Sequence, residues 1–99
     1  MAKFSEHCED CQRELGKPFE EVNSWLDELF EFAGADHRDI RHNVKGVEKV
    51  RKMWGDEAAK AAEIHILKDE GCIPEIDDAF NMRMMMKPHI HEAFMREYN

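Results

Sequence analysis

The residues of this 99-residue chain best suited to chemistry are histidines, arginines and aspartates at a few fixed spacings. The densest group is His37-Arg38-x-x-Arg41-His42. Imidazole can ligate a metal or carry a proton near neutral pH, and the planar guanidinium fork matches phosphate or carboxylate. Two chemistries follow from such a string. One is a pocket for an anionic small molecule, and the other is a metal-assisted hydrolytic site in which arginines steady a phosphate.

Other residues extend the second possibility. His65 and Asp69 are four apart, so on a helix they share a face and can act as two ligands, or as an imidazole oriented by a carboxylate. His7 and Asp27 are further candidate ligands of the same ion. Cys8 and Cys11 form a C-x-x-C, but a structural zinc site needs about four ligands and no second C-x-x-C is present. For Asp27, a salt bridge to an arginine of the His37 helix is the simpler expectation.

These residues must be positioned by helices, because no stretch shows the period-two alternation of a strand. Glycine and proline divide the chain. Ser5 can cap a first helix that ends near Leu15, before Gly16. Pro18 suits the start of a second, whose Phe19, Val22, Trp25, Leu26, Leu29, Phe30 and Ala33 follow a 3.6-residue period up to Gly34. Asp36 can cap a third helix running to about Trp54, and Asp56 a fourth over 57–69, stopped by Gly71. Pro74 and Pro88 each suit the start of a short further helix. The expected fold is all-α: a small bundle of four main helices with short C-terminal helices. Residues 1–80 form the bundle and 81–99 a Met-rich tail, packed or at a subunit interface.

On a regular third helix, Ile40, Val44, Val47, Val50 and Trp54 share the core face, while Arg38, Arg41, Lys45, Lys49 and Lys52 share a basic one. His37 and His42, five residues apart, then diverge by about 140°. The string splits into an inner pair, His37 with Arg41, and an outer pair, Arg38 with His42. Two such histidines are not expected to share an ion. The geometry favours a pocket of His37, Arg38, Arg41, His42 and Lys45 for a phosphorylated ligand.

Charge fits that choice. The net charge is −8, which argues against general nucleic-acid binding. Residues 37–52 nevertheless carry six Lys/Arg against two acids. A basic segment in an acidic chain suits a small anion better than a long polyanion. Three cysteines and no recognisable secretory leader predict a reducing, cytoplasmic setting. No apolar run approaches the ~20 residues of a membrane span. The short chain and the Met82, Met84, Met85 and Met86 cluster predict a homo-oligomer.

The motifs resemble the DUF6915-like family of small uncharacterised phage and bacterial proteins. Its members read approximately H-x-x-S-x-x-x-F-G-G, W-F-D, H-R-x-x-R-H-x-x-G and H-V-x-x-D-x-G-x-I-P. The counterparts here are His7 and Gly16, Trp25-Leu26-Asp27, the central string with Gly46, and His65, Asp69, Gly71, Ile73 and Pro74. The order matches over roughly residues 7–80. The spacing from Asp27 to His37 is about one residue shorter than in relatives, the link between the third and fourth helices is compact, and 81–99 has no counterpart. Cys8 and Cys11 stand where relatives carry Ala and Ser. The resemblance implies that His7, Asp27, His37, Arg38, Arg41, His42, His65 and Asp69 form one constellation, but supplies no activity. Phage occurrence makes sequestration of a host nucleotide signal, in the host cytoplasm, one expectation.

The expected function is therefore a small-molecule binding protein that holds a phosphorylated or nucleotide-type ligand without turnover. The alternatives are a metal-dependent phosphohydrolase using zinc, manganese or iron at His7, Asp27, His65 and Asp69, and a protein–protein module acting through the tail.

Overall fold

The computed structural model describes residues 3–99, and among them every regular element is helical. Helix α1 spans Phe4–Leu15, α2 Glu20–Asp27, α3 Phe30–Ala33, α4 His37–Arg41 and α5 Val44–Trp54. Helix α6 spans Asp56–Glu70, α7 Asp78–Met85 and α8 Pro88–Tyr98. No described helix is long and apolar enough to cross a membrane.

Helix α6 is the central element and packs against α1, α2 and α5. Its Ala58, Ala59, Ala61 and Ala62 are buried. Without long side chains there, three neighbouring helices approach closely, and the last turn of α6 projects between them. These alanines join Cys11, Val22, Leu26, Val47, Val50 and Ile66 in one core. A second, smaller core gathers Ile40, Phe80, Met84, Ile90 and Phe94. It fastens α7 and α8 onto α4, and the Tyr98 hydroxyl adds a hydrogen bond to the Ile40 carbonyl. Residues 81–99 are thus packed against the bundle, with Met84 buried and Met82, Met85 and Met86 facing solvent.

Two expected helices are broken, and one break creates the site. The helix expected over 36–54 stops at Arg41 and restarts at Val44. Asn43 causes the interruption. Its carboxamide oxygen accepts from the backbone N–H of Lys45 and Gly46 at 2.9 and 3.1 Å, capping α5. Its amide nitrogen donates back to the carbonyls of Asp39 and Ile40, closing α4. An asparagine that satisfies both ends at once favours two short helices over one long one. The turn is tight enough that a Cβ on Gly46 would lie 1.8 Å from the Arg41 carbonyl oxygen.

The other break falls at Glu28–Leu29 and separates α2 from α3. The helix expected at Pro74 is also displaced. The Pro74 carbonyl instead accepts from the Val44 N–H at 3.0 Å, and the next helix waits for Asp77, whose carboxylate caps it through Phe80 N–H.

Candidate metal centre

Six side chains from four helices and one interhelical turn meet inside the bundle. His7 comes from α1, Asp27 from the end of α2, His37 from the start of α4, His42 from the α4–α5 turn, and His65 and Asp69 from α6. All four imidazoles and the Asp69 carboxylate are fully buried, and only Asp27 retains exposure, at 24%.

The carboxylates form two hubs. Asp27 Oδ1 lies 3.3 Å from His37 Nε2, 3.4 Å from His42 Nε2 and 3.3 Å from His65 Nε2. Asp69 Oδ2 lies 3.3 Å from His65 Nε2 and 3.8 Å from His42 Nδ1, while its Oδ1 is 3.3 Å from His7 Nε2. One ligand atom from each of Asp27, His42, His65 and Asp69 falls within 4.8 Å of all the others. Atoms bound at about 2.0–2.2 Å to one ion stand roughly 3.0–3.4 Å from their neighbours, which is the separation found between His65 Nε2 and each of the two carboxylates.

The outward bonds of the imidazoles decide which nitrogens face inward. His37 Nδ1 lies 2.8 Å from the Gly34 carbonyl, which can only accept, so Nδ1 carries the proton. His65 Nδ1 lies 2.8 Å from Asn23 Oδ1. The Asn23 amide nitrogen is committed as a donor to the Pro18 and Phe19 carbonyls, so its oxygen accepts and His65 Nδ1 also carries the proton. While both rings are neutral, their Nε2 atoms therefore present lone pairs to the Asp27 carboxylate, itself an acceptor. His42 reverses the arrangement: its Nε2–H donates to the Leu26 carbonyl at 2.9 Å, leaving buried Nδ1 without a hydrogen bond on the Asp69 side.

Acceptors opposed to acceptors repel unless a cation lies between them. Protons on every ring would crowd positive charges, since the His42 centroid lies 4.9 Å from His37 and 5.0 Å from His65. His7 and His65 stack at 3.5 Å. Burial, then the neighbouring His65, hold the His7 pKa below its ordinary value, which favours its neutral form. Asp27 shows the opposite balance: burial pushes its pKa up, but hydrogen bonds from the His37, His42 and His65 rings, which need a proton on the facing nitrogen, hold it well below the carboxylate range. Positive charge, as ring protons or as a cation in their place, is thus favoured beside it. One divalent ion would neutralise both carboxylates and engage the free lone pairs. Two imidazoles with two carboxylates and no thiolate suit zinc, manganese or iron.

Asn23 is the residue that sequence reasoning missed. Besides orienting His65, it bonds the carbonyl of Phe19, which has φ 48°, a left-handed conformation costly for a bulky side chain. Its amide nitrogen also lies 3.5 Å from Cys11 Sγ and 3.8 Å from Cys8 Sγ. The C-x-x-C thus packs behind the site without joining it, and its thiols are free.

The structure corrects the helical-wheel partition. Because the helix breaks at His42–Asn43, the two histidines do not diverge. Both reach Asp27, so the inner and outer pairs do not exist as such. Asp27 faces histidines rather than the expected arginine. The arginines turn away from the cluster and meet acids. Arg41 donates to Glu97 at 2.6 Å and to the Trp25 carbonyl at 2.7 Å, with its guanidinium 4.1 Å above the Trp25 ring. Arg38 pairs with Glu70 at 3.2 Å. Lys45 is exposed on a separate groove of about 550 Å³ shared with Lys49, Lys52 and Tyr98. The five residues expected to form one anion pocket therefore occupy four environments.

No family model, curated protein or solved structure matches this chain.

Proposed function

We propose that this chain is a metalloprotein that binds one divalent cation between Asp27, His42, His65 and Asp69, with His37 held against Asp27 beside it, and that the centre performs metal-assisted hydrolysis of a small molecule. One observation carries the binding step: a ligand atom from each of Asp27, His42, His65 and Asp69 falls within 4.8 Å of all the others inside the bundle. The outward bonds to Leu26 and Asn23 support it, since ligating imidazoles almost always donate their second N–H to a fixed acceptor. His7 steadies Asp69 from behind. The hydrolytic step is supported by the mixed nitrogen and oxygen donors, which suit an ion that lowers the pKa of bound water, and by Asp27, which borders an open surface groove of about 710 Å³.

Six of the eight residues grouped by the DUF6915-like resemblance meet in this cluster, which supports membership of that family as part of the proposal. Arg38 and Arg41 then serve to fix α4 through Glu70 and Glu97. We place the protein in the cytoplasm on its three free thiols, and take the exposed Met82, Met85 and Met86 as support for self-association.

The test is elemental analysis of protein purified without chelator, followed by calorimetric titration of the stripped protein with zinc, manganese and ferrous iron. Near-stoichiometric uptake that Asp69→Asn abolishes is the expected outcome. Protein that arrives metal-free and takes up none of the three would overturn the reading. Turnover is then sought on the loaded protein with small ester, amide and phosphoester substrates.

A second reading keeps the anionic ligand and moves it. Lys45 and Lys52 are exposed, make no ion pair among the described residues, and share the groove of about 550 Å³ with Lys49. Titration with nucleotides, read at the amides of residues 44–52, tests that site independently of any metal.

A further inference from the structure

The groove over Asp27 indicates what the centre would act on. Among the cluster residues, Asp27 alone reaches solvent, and the groove beside it is bounded by the start of α1 and the α2–α3 junction. Its walls carry two aromatic faces. Phe4 is 44% exposed and Phe30 47%, and the Phe30 ring meets the His37 imidazole edge-on at 5.5 Å. Two half-exposed phenylalanines bordering one depression leave apolar area that a ligand can cover.

Its charge is negative. Glu28 and Glu31 stand on one side and Lys3 on the other. Glu28 is 3.8 Å from Arg41, which also meets Glu97, an acid shared with Lys49, so Glu28 is partly compensated. Glu31 has no ion pair among the described residues. The two carboxylates inside the cluster would be balanced by one divalent ion, so the groove's field is set chiefly by Glu31, with Glu28 partly compensated and Lys3 at the far edge. Such a field repels phosphate and concentrates cations. Aromatic faces beside carboxylates also favour a flat cation, through the ring quadrupole as well as the charge. The Ser24 hydroxyl adds a polar contact on the α2 side.

We infer that the Asp27 groove captures a small, planar, cationic or amino-bearing molecule, held between Phe4 and Phe30 and facing Glu31. The inference rests on the metal-centre reading for what happens to the ligand, but not for its capture.

Benzamidinium is the probe, with benzoate and phenyl phosphate as anions of similar size. Each is titrated into metal-loaded and into chelator-treated full-length protein and followed by NMR at the amides of Phe4, Ser24 and Glu31. Benzamidinium should saturate at these amides and bind at least about tenfold more tightly than either anion. Glu31→Gln should weaken it about fivefold, and Phe4→Leu, which keeps apolar bulk but removes the ring, by a similar factor. Both positions are exposed, and circular dichroism checks that each variant folds. The inference is overturned if an anion binds as well as benzamidinium, if no probe moves these amides, or if neither variant weakens binding. Benzamidinium bound equally by protein that takes up no metal would leave this inference standing and remove the metal centre. Metal uptake without probe binding does the reverse.

Discussion

Asn23 Oδ1 accepts the Nδ1–H of His65 across 2.8 Å, and this bond determines which imidazole nitrogen of His65 is free to face the two carboxylates. Asn23→Ala should therefore act in two separable ways. Loss of the orienting acceptor should weaken metal binding by about 10–100-fold, measured by competition with a chromophoric chelator. Loss of the bonds to Pro18 and Phe19 should destabilise the metal-free protein by roughly 1–3 kcal/mol, measured by urea unfolding in chelator. A purely structural Asn23 would change the second measurement and leave the first alone.

Asp27→Asn should separate the charge of this residue from its shape. The fold holds the Asp27 pKa below its ordinary value, so the carboxylate contributes stability at pH 7 that an amide lacks. The metal-free variant should melt below the metal-free wild type. Added metal should raise the wild type, by about 2.7 kcal/mol at a hundredfold excess over Kd, and leave the variant unchanged. Differential scanning fluorimetry with and without chelator reads both. A metal-free variant that melts above wild type would show that opposed lone pairs, rather than donated hydrogen bonds, govern the empty site.

Glu97 links the tail to the bundle by accepting from Arg41 and Lys49. Burial raises its pKa, but the hydrogen bonds from Lys49 and Arg41 prevail and hold it below its ordinary 4.5. A carboxylate depressed on folding contributes stability above the unfolded pKa, and that contribution is lost as the pH falls through the folded value. Glu97→Gln should thus cost about 2 kcal/mol at pH 7. The gap from wild type should close progressively below pH 4.5. Urea midpoints from pH 7 to pH 3 measure this, and a gap independent of pH would contradict the assignment.

Gly46→Ala should be among the most damaging single changes. Its Cβ would meet the Arg41 carbonyl oxygen at 1.8 Å, a backbone atom that cannot move without opening the α4–α5 turn. A loss of roughly 3 kcal/mol or more is expected. Because His42 lies in that turn, metal affinity should fall as well. Unfolding and metal titration check the two effects.

Much of the architecture was legible because local signals agreed with packing. Gly16 and Gly71 end helices where expected, Pro88 opens one, and the alanines of α6 lie against its neighbours. His65 and Asp69 could be paired beforehand by their i, i+4 spacing, whereas His7 and Asp27 join them only through the resemblance, because no local pattern shows which helices pack against α6. His37 and His42 were misassigned because their hydrophobic period continues unbroken from Ile40 to Trp54. Asn43 carried the missing signal, since asparagine caps helices more readily than it sits inside them. The basic face was misread for another reason. Arg41 is neutralised by Glu97, 56 residues away, and no local pattern reveals a partner at that distance.

Only one of the four proposed ligands touches solvent. A cation bound among them would have a single way out, past the Asp27 carboxylate, with three packed imidazoles and a buried aspartate behind it. Departure would then require either that carboxylate to swing aside or the helices to part. The residence time would follow local opening of the fold rather than ligand strength. Under such control the chain would keep whichever suitable ion was at hand as it folded, and its metal content would record the conditions of its synthesis rather than an equilibrium with its surroundings.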